Sequence, residues 1–353
     1  MLLITKPAKI TRLLFCVLLF YPLISGAQLN HHFENAIHIK CPLGYISDIV
    51  RDDNHFLWIG GDGGLLRYDG LQFKHYLHNP ADSLSIMPGY ISRFYYEKDK
   101  EKLWMAFFGN ESKGFSVLDL RTEKFSNFPS DLDNSKGLPA GDINWIFKDH
   151  WGYFWFSVRG YGLTRLDTES NTYENVTYQP TPQEDGLSMS LHNRFDDFSH
   201  DIHNDSIIWL ASGSGLLRFN LVTHQYRKYF SPDKYDETSM ELRSVLHHSN
   251  GKVYAGTRGG TLLELDTLTR QLVPAPLDRY TSQNVHFTAI SSIVSKSKDR
   301  LLLTVRQGMV DESGEKYTPA TGFKVLQKVD KQWKLVGVCA FWNYAHTLNK
   351  GEF

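Results

Sequence analysis

The feature that most constrains this chain is a motif that returns about every 50 residues. Each copy joins an apolar run with an aromatic anchor to a turn, usually glycine-rich, and then to a second apolar run that ends in Asp or Asn. Five clear copies are present: LWIGGDGGLLRYDG (57–70), LWMAFFGNESKGFSVLD (103–119), FWFSVRGYGLTRLD (154–167), IWLASGSGLLRFN (208–220) and VYAGTRGGTLLELD (253–266). The anchors are 46, 51, 54 and 45 residues apart. Self-similarity at this period predicts an array of equivalent units.

Two further strand-like segments complete each unit. One precedes the anchor, as in YISDIVRD (45–52) and DINWIFKD (142–149), and another follows the Asp, as in LQFKHY (71–76). Four short strands per unit predict an all-β fold, a β-propeller of four-stranded blades. Six repeats are recognised, at approximately 45–76, 90–128, 142–176, 193–229, 242–275 and 287–337. The strand-like ends 34–40 and 336–342 leave open a seventh blade built from both chain ends.

The glycine clusters favour a structural role over phosphate binding. A GxGxxG fingerprint would need glycine at Leu66, and no helix pattern follows to receive a phosphate. Tight turns and crowding near the centre of the propeller explain the glycines. The recurrent Arg67, Arg165 and Arg218 are interpreted as structural too: the stem covers apolar surface or stacks on an aromatic ring while the head pairs with Asp69 or Asp167.

The first 27 residues predict a secretory signal peptide. Basic residues precede an apolar stretch at 13–24, and Ser25-Gly26-Ala27 offers a cleavage site before Gln28. We therefore expect residues 28–353 to form the propeller in the periplasm or otherwise outside the cytoplasm, with no membrane span after signal removal. Cys41 and Cys339 lie near the two ends of this region, and we expect them to pair as a disulfide if the two ends meet. Two separate buried thiols are the alternative.

Composition narrows the possible functions. The formal net charge of −1 provides no basic surface for nucleic acid. His200-Asp201-Ile202-His203 has some likeness to a metal site but lacks a cluster of further ligands, so no metal is predicted. The sequence indicates no cofactor, and no catalytic residue is assigned. A glycosidase needs two carboxylates held across one bond, which a sequence alone does not show.

The repeats resemble the two-component regulator propeller repeat, with an Asp-x-x-Gly turn, an aliphatic-Trp-aliphatic-Gly-Thr strand and Gly-Leu-x-Arg-Tyr-Asp. The best copies are 57–70 and 149–167, while 253–266 keeps Gly-Thr but loses the Trp and the Arg. The segment 31–53 also resembles the start of the sensor region of Bacteroides-type hybrid two-component sensor kinases. The resemblance implies a periplasmic sensor of oligosaccharides, with a membrane sensor histidine kinase or a second propeller domain as partner. No kinase motif lies in residues 1–353, so the chain is expected to be a truncated relative, a fragment or a free-standing propeller.

Turn positions that differ between repeats are the candidate binding positions. In the turn after the anchor strand, five large side chains stand out against small neighbours: Phe107, Phe108, Arg159, Tyr161 and Arg258. Aromatic faces and guanidinium groups suit sugar rings and their acidic substituents. We therefore expect a glycan or protein ligand at these residues, although packing between blades is an equally open interpretation. The alternative function is a propeller-fold polysaccharide hydrolase or lyase.

Overall fold

The described part of the chain consists of six antiparallel sheets. The structure is a computed structural model that describes residues 41–44, 46–109, 113–130, 137–181, 187–229, 241–275, 285–297, 300–310, 316–329 and 332–340. For most residues of the sixth sheet, only the backbone is described. The chain divides into two compact units, 1–41 and 42–353, and every strand belongs to the second. The predicted signal peptide and the strand-like end 34–40 lie outside the described residues.

Each sheet contains four strands that pair in chain order, as the repeats predict. The first three sheets are β1 (Ile46–Arg51), β2 (Leu57–Gly61), β3 (Gly64–Tyr68) and β4 (Phe73–Tyr76); β5 (Tyr90–Glu97), β6 (Lys102–Phe108), β7 (Gly114–Asp119) and β8 (Lys124–Pro129); and β9 (Ile143–Lys148), β10 (Phe154–Val158), β11 (Gly162–Asp167) and β12 (Thr172–Val176). The last three are β13 (Phe195–His200), β14 (Ile207–Ser212), β15 (Gly215–Asn220) and β16 (Tyr226–Tyr229); β17 (Leu242–His247), β18 (Val253–Thr257), β19 (Leu262–Asp266) and β20 (Gln271–Pro274); and β21 (Val285–Ser297), β22 (Arg300–Val310), β23 (Lys316–Val329) and β24 (Gln332–Ala340).

Helical structure is confined to two short segments of the described chain, a 3-10 turn at Lys98–Lys100 and the single turn α1 (Met189–His192). The sixth sheet differs from the others in length, because its strands have 9 to 14 residues. Residues 336–340, considered above for a seventh blade, lie in β24 of this sheet.

Apolar side chains fill every junction between successive sheets. Five buried clusters are present, each built from two neighbouring sheets. At the junction of the first two sheets, for example, Trp58 and Leu65 pack with Ile91 and Met105. Burial of this kind is the main favourable term in folding, and here it is distributed along a row of similar interfaces.

The tryptophan anchors are buried and hydrogen-bonded. Each indole N–H donates to an acidic side chain at or just beyond the end of the first strand of its own sheet. The pairs are Trp58 with Asp52 (2.8 Å), Trp104 with Glu97 (3.0 Å), Trp155 with Asp149 (2.8 Å) and Trp209 with Asp201 (2.9 Å). In the fifth sheet Tyr254 replaces the Trp, and its hydroxyl accepts a hydrogen bond from Asn250 at 3.1 Å. The acid therefore satisfies the one polar group of a buried ring.

The first strands carry the links between sheets. In each of the first five sheets the first strand has an irregular register, a β-bulge, near its start. From these positions Ser92 donates to the carbonyl of Ile143 at 2.8 Å, and Asn144 donates to the carbonyl of Phe195 at 3.0 Å. Equivalent positions are joined, so successive blades have the same orientation and their equivalent turns lie at the same end.

Arg67 and Arg165 stack on aromatic rings, one of the two predicted arrangements, but their predicted carboxylate partners are wrong. The guanidinium carbon of Arg67 lies 4.7 Å from the ring centre of Phe56, and that of Arg165 lies 4.5 Å from Tyr153. Arg67 pairs with Glu123 at 2.6 Å and Arg165 with Glu174 at 2.6 Å. Asp69 and Asp167 instead accept backbone N–H groups of their own turns, at Leu71 and Glu169 among others. An Asp side chain so close to a turn bonds the nearest N–H groups first.

Candidate ligand-binding face

One end of the blades carries the turns that vary most between repeats. These turns join the second and third strands and lie at 61–64, 108–114, 158–162, 212–215 and 257–262. Since the strands of each blade alternate in direction, the loops between blades, such as 77–89, are at the same end. We call this end the variable-turn face.

Three of these turns use the same backbone hydrogen bond. The N–H groups of Arg159, Gly213 and Arg258 donate to the carbonyls of Asp142, Arg194 and Glu241, respectively, at 2.8 to 3.0 Å. Each carbonyl belongs to the residue just before the first strand of its blade. The backbone hydrogen bond therefore holds the turn at all three positions without help from a side chain. The residue is an arginine in the third and fifth blades and a glycine in the fourth.

The structure separates the two adjacent phenylalanines of the second blade. Phe108 is exposed, with 38 % of its surface accessible, and its ring packs edge-on against Tyr90 with centres 6.2 Å apart. Phe107 is fully buried in the cluster between the first two sheets. The prediction that Phe107 contacts a ligand is therefore corrected: alternate residues of a strand point to opposite faces, and Phe107 points into the core.

Arg258 belongs to an ion-pair cluster between the fourth and fifth blades. Its guanidinium lies 3.2 Å from both carboxylate oxygens of Glu241 and remains half exposed. Glu241 also accepts from the buried Arg194 at 2.8 Å, and Arg194 bonds Asp196 at 3.2 Å. Arg243 reaches Asp196 at 3.0 Å. The positive charge of the exposed Arg159 also acts on Asp196.

The pKa values of the acids in this region follow their surroundings. Burial raises the pKa of Asp196, although Arg194, Arg243 and Arg159 oppose the rise. Burial alone would raise the pKa of Glu241, but the hydrogen bond and charge of Arg194 leave it lowered. The half-buried Asp197 has its pKa raised to about 7 by loss of hydration, while the N–H of Val245 at 3.0 Å favours its ionised form. Four guanidinium groups, those of Arg159, Arg194, Arg243 and Arg258, outnumber the three carboxylates of this region.

Tyr161 lies apart from this cluster, on the third blade. Its ring is 36 % exposed and approaches Gly141, in the loop that enters the blade, where an added Cβ would lie 3.1 Å from the ring. The structure thus places Arg159 and Arg258 around Asp196 and Glu241, and leaves Tyr161 and Phe108 at separate points of the variable-turn face.

A pocket of about 610 Å³ on this face was not predicted from the sequence. It lies between the first and second blades and is lined by Asp62, Gly63, Gly64, Leu77, His78, Ile86, Met87, Pro88, Gly89, Tyr90, Phe108 and Gly109. Of the lining residues only Phe108 was a candidate, and six of the others, Leu77, His78, Ile86, Met87, Pro88 and Gly89, come from a loop between repeats whose path the repeats do not fix.

The predicted disulfide is not tested by the described residues. Cys41 is half-buried. The side chain of Cys339 lies outside the described part, so the pairing stays a prediction. Within the described ranges, no group of three or more His, Cys, Asp or Glu side chains is arranged to hold a metal ion. Nδ1 of His247 lies 3.4 Å from the carboxylate of Asp201, but that carboxylate accepts the indole N–H of Trp209.

Comparison with known proteins identifies the fold. The sequence matches no family model and no curated protein. Among solved structures, the extracellular domain of the hybrid two-component system BT3049 from Bacteroides thetaiotaomicron is similar at 16 % identity, with a TM-score of 0.58 over 86 % of this chain and 41 % of that chain. YCF48 bound to the D1 peptide is similar at 13 % identity, with a TM-score of 0.55 over 84 % of this chain and 83 % of that chain. The fold is a β-propeller. The sequence prediction of this fold is confirmed, and the propeller spans about two fifths of the BT3049 domain.

None of the described helices has the length and apolar character needed to cross a membrane.

Proposed function

We propose that this propeller is an extracellular sensor module that recognises an oligosaccharide or a partner protein on its variable-turn face and takes part in two-component signalling. The observation that carries the proposal is the shared backbone hydrogen bond at Arg159, Gly213 and Arg258. The turn needs no side chain at this position, yet two blades place a guanidinium group there. An exposed charged group that the backbone of the turn does not require is a candidate for binding.

The chemistry of the face suits a glycan with acidic substituents or an acidic protein loop. Guanidinium groups bind carboxylates through two parallel hydrogen bonds, and the surplus of positive charge around Asp196 and Glu241 favours an anion. Tyr161 and Phe108 add exposed aromatic surface of the kind that stacks on sugar rings.

The structural comparisons support an extracellular signalling role and the binding of a protein segment. The similar BT3049 structure is an extracellular domain of a two-component system, and the similar YCF48 structure contains a bound peptide. By analogy with the first, we propose export to the periplasm, with a membrane sensor histidine kinase or a second propeller domain as the partner in signalling. Binding rather than catalysis is the proposed activity.

Isothermal calorimetry with a panel of plant and host glycans, neutral and uronate-containing, tests the proposal. We expect Arg159→Ala and Tyr161→Ala to weaken binding of the best ligand by about 1–3 kcal/mol, as interface anchors do, with little change in melting temperature. Arg121→Ala is the matched control, because Arg121 is an exposed arginine at the opposite end of a blade. If neither the panel nor acidic peptides bind, or if Arg159→Ala and Tyr161→Ala behave like Arg121→Ala, the proposed site is wrong.

A further inference from the structure

The pocket between the first and second blades has a composition that no structural role explains. Two large apolar side chains in its lining are left in water: Leu77 is 59 % exposed and Phe108 is 38 % exposed. The position of Phe108 in the repeat is occupied by Asp62, Arg159, Gly213 and Arg258 in the other blades, so the second blade alone of these five places a large apolar side chain there. Apolar surface that stays exposed within a concave site marks a place for a ligand.

Two polar side chains of the pocket, His78 and Asp62, offer hydrogen-bond acceptors. The ring nitrogen Nδ1 of His78 lies 2.8 Å from the carbonyl of Ile86, and since a carbonyl only accepts, Nδ1 carries the proton. In the neutral ring Nε2 is then an acceptor. The exposed carboxylate of Asp62 is a second acceptor on the rim. A ligand that offers several hydroxyl groups complements such a rim.

The pocket is preformed by hydrogen bonds in the elements around it. In the loop between the blades, Ser85 accepts from the N–H of Asn79 at 2.9 Å, and Asn127 of the second blade donates to the carbonyl of Ser85 at 2.8 Å. On the other side, the N–H of Gly109 donates to the carboxylate of Asp142 at 3.0 Å. Phe108 is therefore held between Gly109, whose N–H is bonded, and the ring of Tyr90, and ordering it costs little on binding.

We propose that this pocket binds a neutral hexopyranose ring of a glycan, with its C–H face against Phe108 and its hydroxyl groups donating to Asp62 and His78. A sugar ring has both an apolar face and a rim of hydroxyl groups, whereas an apolar peptide side chain would leave both acceptors unpaired. The ligand class rests on the proposed function, but the site lies between different blades from the arginine cluster. The volume of about 610 Å³ is in the usual range for small-molecule sites.

Saturation-transfer difference NMR on the full chain tests this site with methyl glycosides of glucose, galactose, mannose and N-acetylglucosamine. We expect at least one to bind with a dissociation constant on the order of 1 mM, a typical single-ring affinity. Phe108→Ala should weaken it about tenfold or more, and Asp62→Asn should weaken it severalfold. Trp151→Ala, which removes an exposed aromatic ring from the opposite end of the third blade, should leave binding unchanged.

The outcomes separate this site from the proposed function. Binding lost in Phe108→Ala and kept in Arg159→Ala supports the pocket. Binding lost only in Arg159→Ala overturns the pocket and leaves the proposed function intact. The pocket is also overturned if no methyl glycoside binds while the calorimetric panel does, or if N-acetyl-leucine amide binds in place of the sugars. If no ligand binds in either experiment, the proposed pocket and the proposed function are both wrong.

Discussion

At the scale of single residues, the acid that pairs with each tryptophan has two tasks. In the third blade one oxygen of Asp149 accepts the indole N–H of Trp155 at 2.8 Å, and the other accepts the backbone N–H groups of Trp151 and Tyr153. The Asp of the Asp-x-x-Gly turn therefore closes the turn and satisfies the buried ring at the same time. This double role explains why an acid recurs at this place in the repeat.

We predict that Asp149→Ala lowers the free energy of unfolding by about 2–3 kcal/mol. The substitution leaves a buried indole N–H without an acceptor and frees two turn N–H groups, and an orphaned buried donor costs about 1–3 kcal/mol by itself. Urea denaturation measures the change. Asp167→Ala is the matched control, because Asp167 caps an exposed turn and should cost only about 0.5–1 kcal/mol. Equal losses in the two variants would contradict the double role.

At the scale of strands and turns, the glycines serve two separable purposes. Gly152, in the turn between the first two strands of its blade, has a φ of 98° and open space around the position of a Cβ. Gly114 has a φ of 132°, and a Cβ there would lie 2.2 Å from the carbonyl oxygen of Phe128 in the neighbouring strand. The first glycine is needed for its backbone conformation only, and the second for conformation and close approach.

We predict that Gly114→Ala destabilises the fold much more than Gly152→Ala. Alanine at position 152 meets only the cost of a left-handed conformation, about 1–2 kcal/mol. Alanine at position 114 must also displace the backbone of β8, and we expect a loss of about 3 kcal/mol or more. Thermal unfolding by circular dichroism compares the two variants. If the Gly114→Ala protein is as stable as the Gly152→Ala protein, the backbone of β8 moves at little cost in free energy and the prediction is wrong.

The blades themselves were predictable from the sequence because they are local and repeated. Each blade pairs strands that are neighbours in the chain, so the period and the anchors suffice to place them. One further signal was present: the residue two positions after each anchor is small, namely Gly60, Ala106, Ser157, Ala211 and Gly256. A Cβ at Gly60 would lie 2.6 Å from the ring of Phe94, so this position is where the next blade packs.

The contacts between blades were not predictable in the same way. The carboxylate partner of Arg67 lies on the next blade, and the partners of Arg194 include Glu241, 47 residues later. Nothing in a repeat specifies which side chains meet across a junction, because the residues that meet there differ from blade to blade. The pocket beside Phe108 depends on a loop without a repeated pattern, and it escaped prediction for the same reason.

At the scale of the whole molecule, stability is distributed over interfaces that each join only two blades. The junction of the fourth and fifth blades is distinctive, because charged groups supplement the apolar cluster there. Arg194 has only 8 % of its side chain exposed and holds Asp196 of its own blade and Glu241 at the start of the next. Repeat proteins with nearest-neighbour interfaces open locally when one interface is weakened.

We predict that Arg194→Gln loosens this junction selectively. Loss of one partner of a buried ion pair costs about 3–5 kcal/mol, and the remaining contacts of Arg243 and Arg258 reduce the expected loss to about 1–3 kcal/mol. Hydrogen exchange measured by mass spectrometry should show faster exchange in β13 and β17, with β1 and β5 unchanged. Arg121→Gln, which breaks an exposed pair with Glu101, should change neither. Uniformly faster exchange over all blades would instead indicate a single cooperative unit.

The backbone hydrogen bond shared by Arg159, Gly213 and Arg258 also bears on how such a protein can diversify. In the first four blades, contacts within the blade such as the acid under the tryptophan and the Asp or Asn caps of the outer turns lie at the opposite end. If the variable-turn face binds the ligand, as proposed, substitutions in its turns would alter recognition while these contacts stay the same. New specificities can accumulate one blade at a time, and the same property makes the propeller a suitable scaffold for grafting foreign binding loops.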